Sequence, residues 1–168
     1  MNFGLLKVFF VALLCLHTAV ALPDPATLSH VPKDTVLKEA SSLKASLFRG
    51  QTLCESDLNA QTSAFEHLVV KGNLTLVDSE IFGQSQIGGD VRASNSHFRD
   101  AMILNGQKAH FDESVIATII CDQPAKITLA GSTFVGGNIE FKGPAGHVII
   151  VGDSQVLGKV INGTVSQR

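Results

Sequence analysis

The feature that most constrains the fold of this chain is a repeat of about 17 residues, marked by a serine with an apolar residue two positions after it. Apolar residues also stand five and three positions before most of these serines, which gives the two-residue alternation of a half-buried strand. The serines are Ser46, Ser63, Ser79, Ser96, Ser114, Ser132 and Ser154, separated by 17, 16, 17, 18, 18 and 22 residues. The pattern indicates short strands that meet at a corner just before each serine.

A single coil of this length cannot bury its inward side chains, whereas stacked coils cover one another and pair their backbones about 4.8 Å apart. The repeat therefore predicts an all-β fold, a single-stranded parallel β-helix of about six to seven turns over residues 46–168. The apolar positions after the serines should form the main core column, namely Phe48, Phe65, Ile81, Phe98, Ile116, Phe134 and Val156. A third strand in each turn is indicated by the apolar pairs Leu68/Val70, Ala101/Ile103, Ile119/Cys121 and Ile139/Phe141.

Residues 1–21 predict a signal peptide, because Lys7 precedes an apolar run over 8–20 and small residues stand at Ala19 and Ala21. We therefore expect an exported protein, periplasmic or secreted, that is cleaved after Ala21. No membrane span should remain after cleavage, since the apolar run is shorter than the ~20 residues that a spanning helix needs.

The segment that follows is expected to lead into the solenoid. Residues 22–33 carry three prolines and predict a flexible linker. Residues 34–48 predict an N-terminal cap, for which two structures remain open. Apolar residues between Val36 and Leu47 have helical spacing, which favours a short amphipathic capping helix, and a first coil is the alternative.

The segments 70–74, 86–96 and 160–165 each place glycine beside short runs of apolar residues. In this they resemble the bactofilins, the bacterial polymer-forming cytoskeletal proteins, and the resemblance covers most of residues 46–165. It implies a right-handed β-helix that assembles end to end into filaments without nucleotide. The predicted signal peptide would make this chain an exported variant, because bactofilins are cytoplasmic.

Charge and composition exclude several classes of function. The net charge is −2 and Lys and Arg form no cluster along the chain, so no nucleic-acid partner is expected. The chain has no Trp and no Tyr, which are much used to stack on ligands. A catalytic serine needs a base and an orienting group beside it, whereas a repeated serine indicates a structural role. We therefore predict a non-enzymatic protein without a cofactor.

Two enzyme folds share features of this repeat. Ile81, Ile87 and Ala93 follow the six-residue step of the left-handed hexapeptide acyltransferases, but the spacing breaks that step elsewhere. Polysaccharide-active β-helix enzymes have larger turns and a cluster of acidic and basic residues that this sequence does not indicate. Both remain alternatives to a structural protein.

Polar residues flank several of the serines and form a candidate metal site. If the coils stack, one patch combines Asp78, Glu80, Asn95, His97, Asp112 and Glu113. Carboxylate and imidazole groups are common metal ligands. Asp and Asn also favour turns, so a solvated corner is the alternative interpretation.

Cys54 and Cys121 remain after cleavage, and in an exported protein a disulfide would be the first expectation. The repeat places them four turns apart, about 19 Å at the strand spacing, whereas bridged Cα atoms lie within ~7 Å. We therefore predict no bond between them.

The last apolar residues of the sequence are Val160, Ile161 and Val165, which begin another turn with three residues after it. They predict an uncovered strand edge, and such an edge pairs readily with another copy of the chain. The leading expectation is end-to-end self-association. A rod face presented to a cell-wall, surface or host partner is the alternative.

Overall fold

A computed structural model of the chain describes residues 29–31 and 33–168. The predicted signal peptide and residues 22–28 of the predicted linker lie outside the described residues. Every regular element in the described part is a β-strand, and the paired strands run parallel. The predicted all-β parallel β-helix is therefore confirmed, with about eight turns instead of six to seven.

The strands stack eight deep on each of three faces. Face 1 holds β1 (Ser29–Val31), β8 (Glu80–Ile81), β15 (Phe134–Val135) and β18 (Gln155–Val156). Face 2 holds β2 (Thr35–Leu37), β9 (Ser85–Ile87), β16 (Ile139–Phe141) and β19 (Val160–Ile161). Four longer strands run through both of these faces, namely β4 (Ser46–Cys54), β6 (Ala64–Val70), β11 (His97–Leu104) and β13 (Val115–Cys121).

Face 3 is a single sheet of eight strands that closes each coil. It consists of β3 (Ser41–Lys44), β5 (Leu58–Gln61), β7 (Leu74–Val77), β10 (Val91–Ser94), β12 (Lys108–Asp112), β14 (Lys126–Ala130), β17 (Gly146–Ile150) and β20 (Gly163–Gln167). Each coil passes from face 1 to face 2 and face 3, and it returns to face 1 at the corner before the next serine. Alternate side chains of every face point inward, and together they fill the core.

The inward columns are apolar and close-packed. On face 1 the column begins with Phe48 and Phe65, whose rings stack with centroids 5.2 Å apart. Phe98 meets Phe111 of face 3 edge to face at 5.8 Å, which joins two faces across the core. The predicted core column is confirmed at these positions and at Ile81 and Ile116, all of which are buried.

The capping helix that the helical spacing favours for residues 34–48 does not form. This segment forms β2, β3 and the start of β4, so the alternative of a first coil is correct. The predicted linker also gives way to strand at Ser29–Val31, which pairs with the beginning of β4. The segment forms strands despite its helical spacing, because each strand gains a ladder of backbone hydrogen bonds with the next coil.

The predicted register is wrong by one residue in the coil that contains Ser132. Thr133, not Ser132, occupies the serine position, and Val135, not Phe134, occupies the core column. The preceding corner holds two residues instead of one: Gly131 has φ +65°, and the N–H of Thr133 donates to the carbonyl of Ala130 at 3.2 Å. Ser132 is therefore exposed and Phe134 faces outward, half-buried.

The inward residues predicted for the part of β11 that lies in face 2 are also wrong. Met102 and Leu104 are buried there, whereas the predicted Ala101 and Ile103 are only half-buried. One extra residue lies between Phe98 and Ala101 relative to the next strand, which appears as a register shift in the pairing with β13. An insertion of one residue moves every following side chain to the opposite face.

Candidate functional site

The column that contains the serines is held by backbone hydrogen bonds between coils. The N–H of each member donates to the hydroxyl oxygen of the next, with distances of 3.3, 3.1, 3.2, 3.2 and 3.2 Å. The members are Ser46, Ser63, Ser79, Ser96, Ser114 and Thr133, and Ser154 continues the column in the last coil. All are buried, so the column is a chain of internal hydrogen bonds along the rod.

The hydroxyls of five members also donate to a carbonyl two residues earlier, as Ser79 does to Val77 at 2.7 Å and Ser96 to Ser94 at 2.8 Å; the five are Ser46, Ser63, Ser79, Ser96 and Ser114. This bond closes the corner, where the intervening residue has a left-handed backbone. Such residues have φ between 46° and 52° and are Ala45, Thr62, Asp78, Asn95 and Glu113. The predicted corner before the serine is therefore a one-residue turn that the serine itself stabilises.

The structure brings some residues of the predicted polar patch into contact, but not all six. Asp78 and Asn95 are stacked corner residues, and the Asn95 amide donates to the Asp78 carboxylate at 2.7 Å. Glu80 and His97 occupy paired positions on face 1, and the Glu80 carboxylate is bound by the guanidinium of Arg99. Asp112 and Glu113 follow one coil further.

These contacts involve the side chains of Asp78, Glu80 and Asn95. Within residues 33–168, no three His, Cys, Asp or Glu side chains come close enough to hold a metal ion. The geometry of the patch is that of a hydrated corner, with one amide–carboxylate bond and one ion pair on the surface. Neither arrangement provides a catalytic base for a serine, because the serine hydroxyls point into the corners.

The two cysteines occupy one inward column on face 2. Cys54, Val70, Ile87, Leu104 and Cys121 pair in succession, which puts the two thiols four strand steps apart. Both are free and buried. Burial raises the pKa of Cys54, and it raises the pKa of Cys121 to about 12, so both thiols are protonated at neutral pH.

The predicted self-association residues lie on the last coil. Val160 and Val165 continue inward columns, because they pair with the buried Ile139 and Val148. Ile161 pairs with Glu140 and therefore faces outward. The structure thus separates the three residues: two belong to the end of the core and one to the side of the rod.

No described coil covers this end of the stack. β18 and β20 are terminal in their sheets, and β19 pairs only with β16. Val165 is consequently 49% exposed, and beside it Leu157 and the outward-facing Ile161 add exposed apolar surface, at 67% and 40%. Val148 and Ile139, one coil earlier, are fully buried. The end is an apolar surface bordered by unpaired strand edges.

A second polar column, which the sequence analysis missed, lies at the corner between faces 2 and 3. The side-chain oxygens of Asp57, Asn73 and Asp90 each accept a backbone N–H from the next coil, at 2.7 to 3.0 Å. The signal in the sequence was an Asp or Asn directly before β5, β7 and β10, at spacings of 16 and 17 residues. These side chains link consecutive coils by hydrogen bonds, as the serine hydroxyls do at the corner between faces 3 and 1.

Comparison with known proteins gives no match to a protein-family model, to a curated protein or to a solved structure. Within the described residues, no helix has the length and hydrophobicity needed to cross a membrane. Function must therefore be inferred from the surfaces of the solenoid itself.

Proposed function

We propose that this chain is an exported, non-enzymatic structural protein whose rods associate end to end through the last coil. The observation that carries the proposal is the exposed end of the core, where Val160 and Val165 continue inward columns without a coil above them. The bactofilin resemblance predicts the same mode of assembly.

The chemistry of the end suits a second copy of the chain. The other end of the described stack consists of the edges of β1, β2 and β3, where Leu37 and Leu43 are half-buried. Docking β18, β19 and β20 on these edges would add a parallel strand in each sheet and continue the ~4.8 Å spacing. Such a contact joins two different surfaces, so it repeats without closing and produces filaments.

Sedimentation velocity over a range of concentrations and electron microscopy test this proposal. We expect concentration-dependent oligomers or filaments from the wild-type chain. Val165→Lys places a charge in the inward column and should abolish them. Val115→Lys is the matched control, because Val115 is exposed on the side of face 1, and this variant should assemble normally.

Circular dichroism must show that both variants keep the strand content of the wild type. A wild-type chain that stays monomeric at high concentration would eliminate end-to-end assembly. Assembly that survives Val165→Lys but is lost with Val115→Lys would place the contact on the side of the rod instead.

A rod face that binds a surface protein is the second candidate, and one observation favours it. Phe82 and Val115 are 45% and 42% exposed on face 1, near a cleft of about 500 Å³ whose lining includes Arg99, Phe134 and Gly136. Exposed apolar side chains beside a cleft are typical of interaction surfaces. If this face binds the partner, Phe82→Ser with Val115→Ser should abolish retention of labelled chain on cell surfaces, whereas Val165→Lys should not.

A further inference from the structure

The corner between faces 2 and 3 becomes longer over three consecutive coils of the rod and is short again in the last coil. In the regular coils three residues separate the inward column of Cys54 on face 2 from the inward column of Leu58 on face 3, at 55–57, 71–73 and 88–90. In the next three coils the segments are 105–108, 122–126 and 142–147, which adds one residue each time. The regular coils demonstrate that three residues suffice to turn this corner.

The residue type changes at the same coil where the lengthening begins. The column that contains Asp57, Asn73 and Asp90 continues as Lys108, Lys126, His147 and Thr164. The backbone bonds that the Asx side chains made are replaced by main-chain bonds, such as that from the N–H of Lys126 to the carbonyl of Gln107 at 2.8 Å. The basic side chains are therefore not required to fasten the coils.

These two changes build an open groove of about 570 Å³. Its floor contains the buried Ala125 and Gly146, and Lys108 and Lys126 lie along it one strand step apart. His147 closes one end, held through Nδ1 by the Thr164 hydroxyl at 2.7 Å and through Nε2 by the Ser166 hydroxyl at 3.2 Å.

The groove is positively charged although the chain as a whole is not. Among the described residues, no carboxylate lies within ion-pairing distance of Lys108 or Lys126. The nearest acid in the column, Asp90, uses its carboxylate oxygen on the N–H groups of Gln107 and Lys108. Asp122, in the longer corner, is paired with Lys142 at 3.8 Å.

A second basic column runs beside the first on face 3. Arg92 and His110 are paired outward positions, and His110 stands two residues after Lys108 on β12. Basic side chains of three neighbouring strands thus face the same side of the sheet, at residues that are 16 and 18 positions apart in sequence. For that reason the sequence showed no cluster of Lys and Arg.

We propose that this groove binds a segment of an acidic polysaccharide, with carboxylate or sulfate groups on successive sugars contacting Lys108 and Lys126. The two ammonium groups arise from strands about 4.8 Å apart, which suits an extended polymer with repeated charges. Gln107 lines the same groove and offers an amide to sugar hydroxyls. Lys108 and Lys126 lie on β12 and β14, and β17 stands between β14 and the terminal strand β20, so their charge contacts do not depend on the proposed self-association.

The lining favours a sugar polymer over a nucleic acid. Proteins that bind single strands stack bases on aromatic side chains, and the imidazole of His147 is the only aromatic ring among the described residues that line the groove. That ring is already fixed by two hydrogen bonds. Charge contacts and hydrogen bonds remain, and these are what an acidic polysaccharide requires.

Isothermal titration calorimetry with size-defined oligosaccharides tests the proposal on the full chain. Oligogalacturonate carries carboxylates, heparin-derived oligosaccharide carries sulfates, and neutral dextran and single-stranded DNA are the comparison ligands. We expect one of the two acidic oligosaccharides to bind, and Lys108→Gln with Lys126→Gln to weaken it at least about tenfold. The matched control is Lys38→Gln with Lys44→Gln, which changes the net charge equally at exposed lysines of the first coil.

The control variant should bind as the wild type does. Binding that falls equally in both double variants would overturn the groove and indicate an effect of net charge. Equal or tighter binding of dextran or DNA, or no binding of either acidic oligosaccharide, would overturn the ligand class. A preference for carboxylate or for sulfate identifies which source of negative charge the groove accepts.

Discussion

Replacing Thr133 with Val provides the most direct test of the hydrogen-bonded column. Thr133→Val keeps the shape of the side chain but removes the oxygen that accepts the N–H of Ser114 at 3.2 Å. Both residues are fully buried, so no water replaces the lost acceptor. Leaving a buried N–H without a partner costs about 1–3 kcal/mol, and the added methyl returns about 0.8 kcal/mol. We therefore expect a net loss of roughly 0.2–2 kcal/mol in the free energy of unfolding.

Ser132→Ala is the matched control, since Ser132 is the neighbouring hydroxyl and is exposed. It should change stability by less than about 0.5 kcal/mol. Urea unfolding followed by circular dichroism gives the global effect, provided that the m value is unchanged. Hydrogen exchange of the Ser114 amide gives the local effect, because this amide should exchange faster only in Thr133→Val. A larger loss from Ser132→Ala would refute the assigned register and restore the one read from the sequence.

Four further substitutions test other positions of the coil. Thr52→Val should stabilise the fold by about 1 kcal/mol in urea unfolding, opposite in sign to Thr133→Val, because the buried Thr52 hydroxyl has no partner among the described residues. Thr62→Gly should stabilise by roughly 0.5–1 kcal/mol, since Thr62 has φ +52°, whereas Gly131→Ala at φ +65° should destabilise. Burial raises the pKa of Cys121 from 9.0 to about 12, so the unfolded chain releases this proton first and stability should fall as pH rises above 9.0. The fall is at most about 1.4 kcal/mol per pH unit, and urea midpoints across this range should decline less steeply in Cys121→Ala.

The regular part of the fold was predictable because each coil repeats the same pattern of residues at its strands and corners. A serine beside a single left-handed residue marks the corner, and Asp78 and Asn95 are residue types that tolerate this backbone. The predicted register was wrong at Ser132 because Ser132 and Thr133 both carry a hydroxyl. Only the pairing with the neighbouring coil decides whether the corner contains one residue or two. The first coil remained only the alternative to a helix, because the apolar spacing of residues 34–47 fits a helix as well as short strands separated by corners.

The candidate site was less predictable than the fold, and the reason is physical. Lys108 and Lys126 become neighbours only when the coil lengths between them are known, because pairing of β12 with β14 places them side by side. The metal site was predicted only from the number of residues per coil. In the structure the Glu80 carboxylate instead forms an ion pair with Arg99. Spacing predicts which residues share a column, but the contacts of each side chain decide what the column can bind.

The lengthened corners are the part of this solenoid that stacking does not explain. Each additional ordered residue loses about 1–2 kcal/mol of backbone conformational entropy, and the coils at 55–57 and 88–90 demonstrate that the turn closes without it. The additional residues at 122–126 and 142–147 bury Ala125 and Gly146 beneath the groove, so part of the loss is offset by packing. Packing alone does not account for the change from Asp and Asn to Lys at the same coils, because the earlier residues supplied a backbone hydrogen bond that Lys cannot. A binding role for the groove accounts for both changes, and shortening 122–126 to three residues should therefore remove ligand binding while preserving the strands on either side.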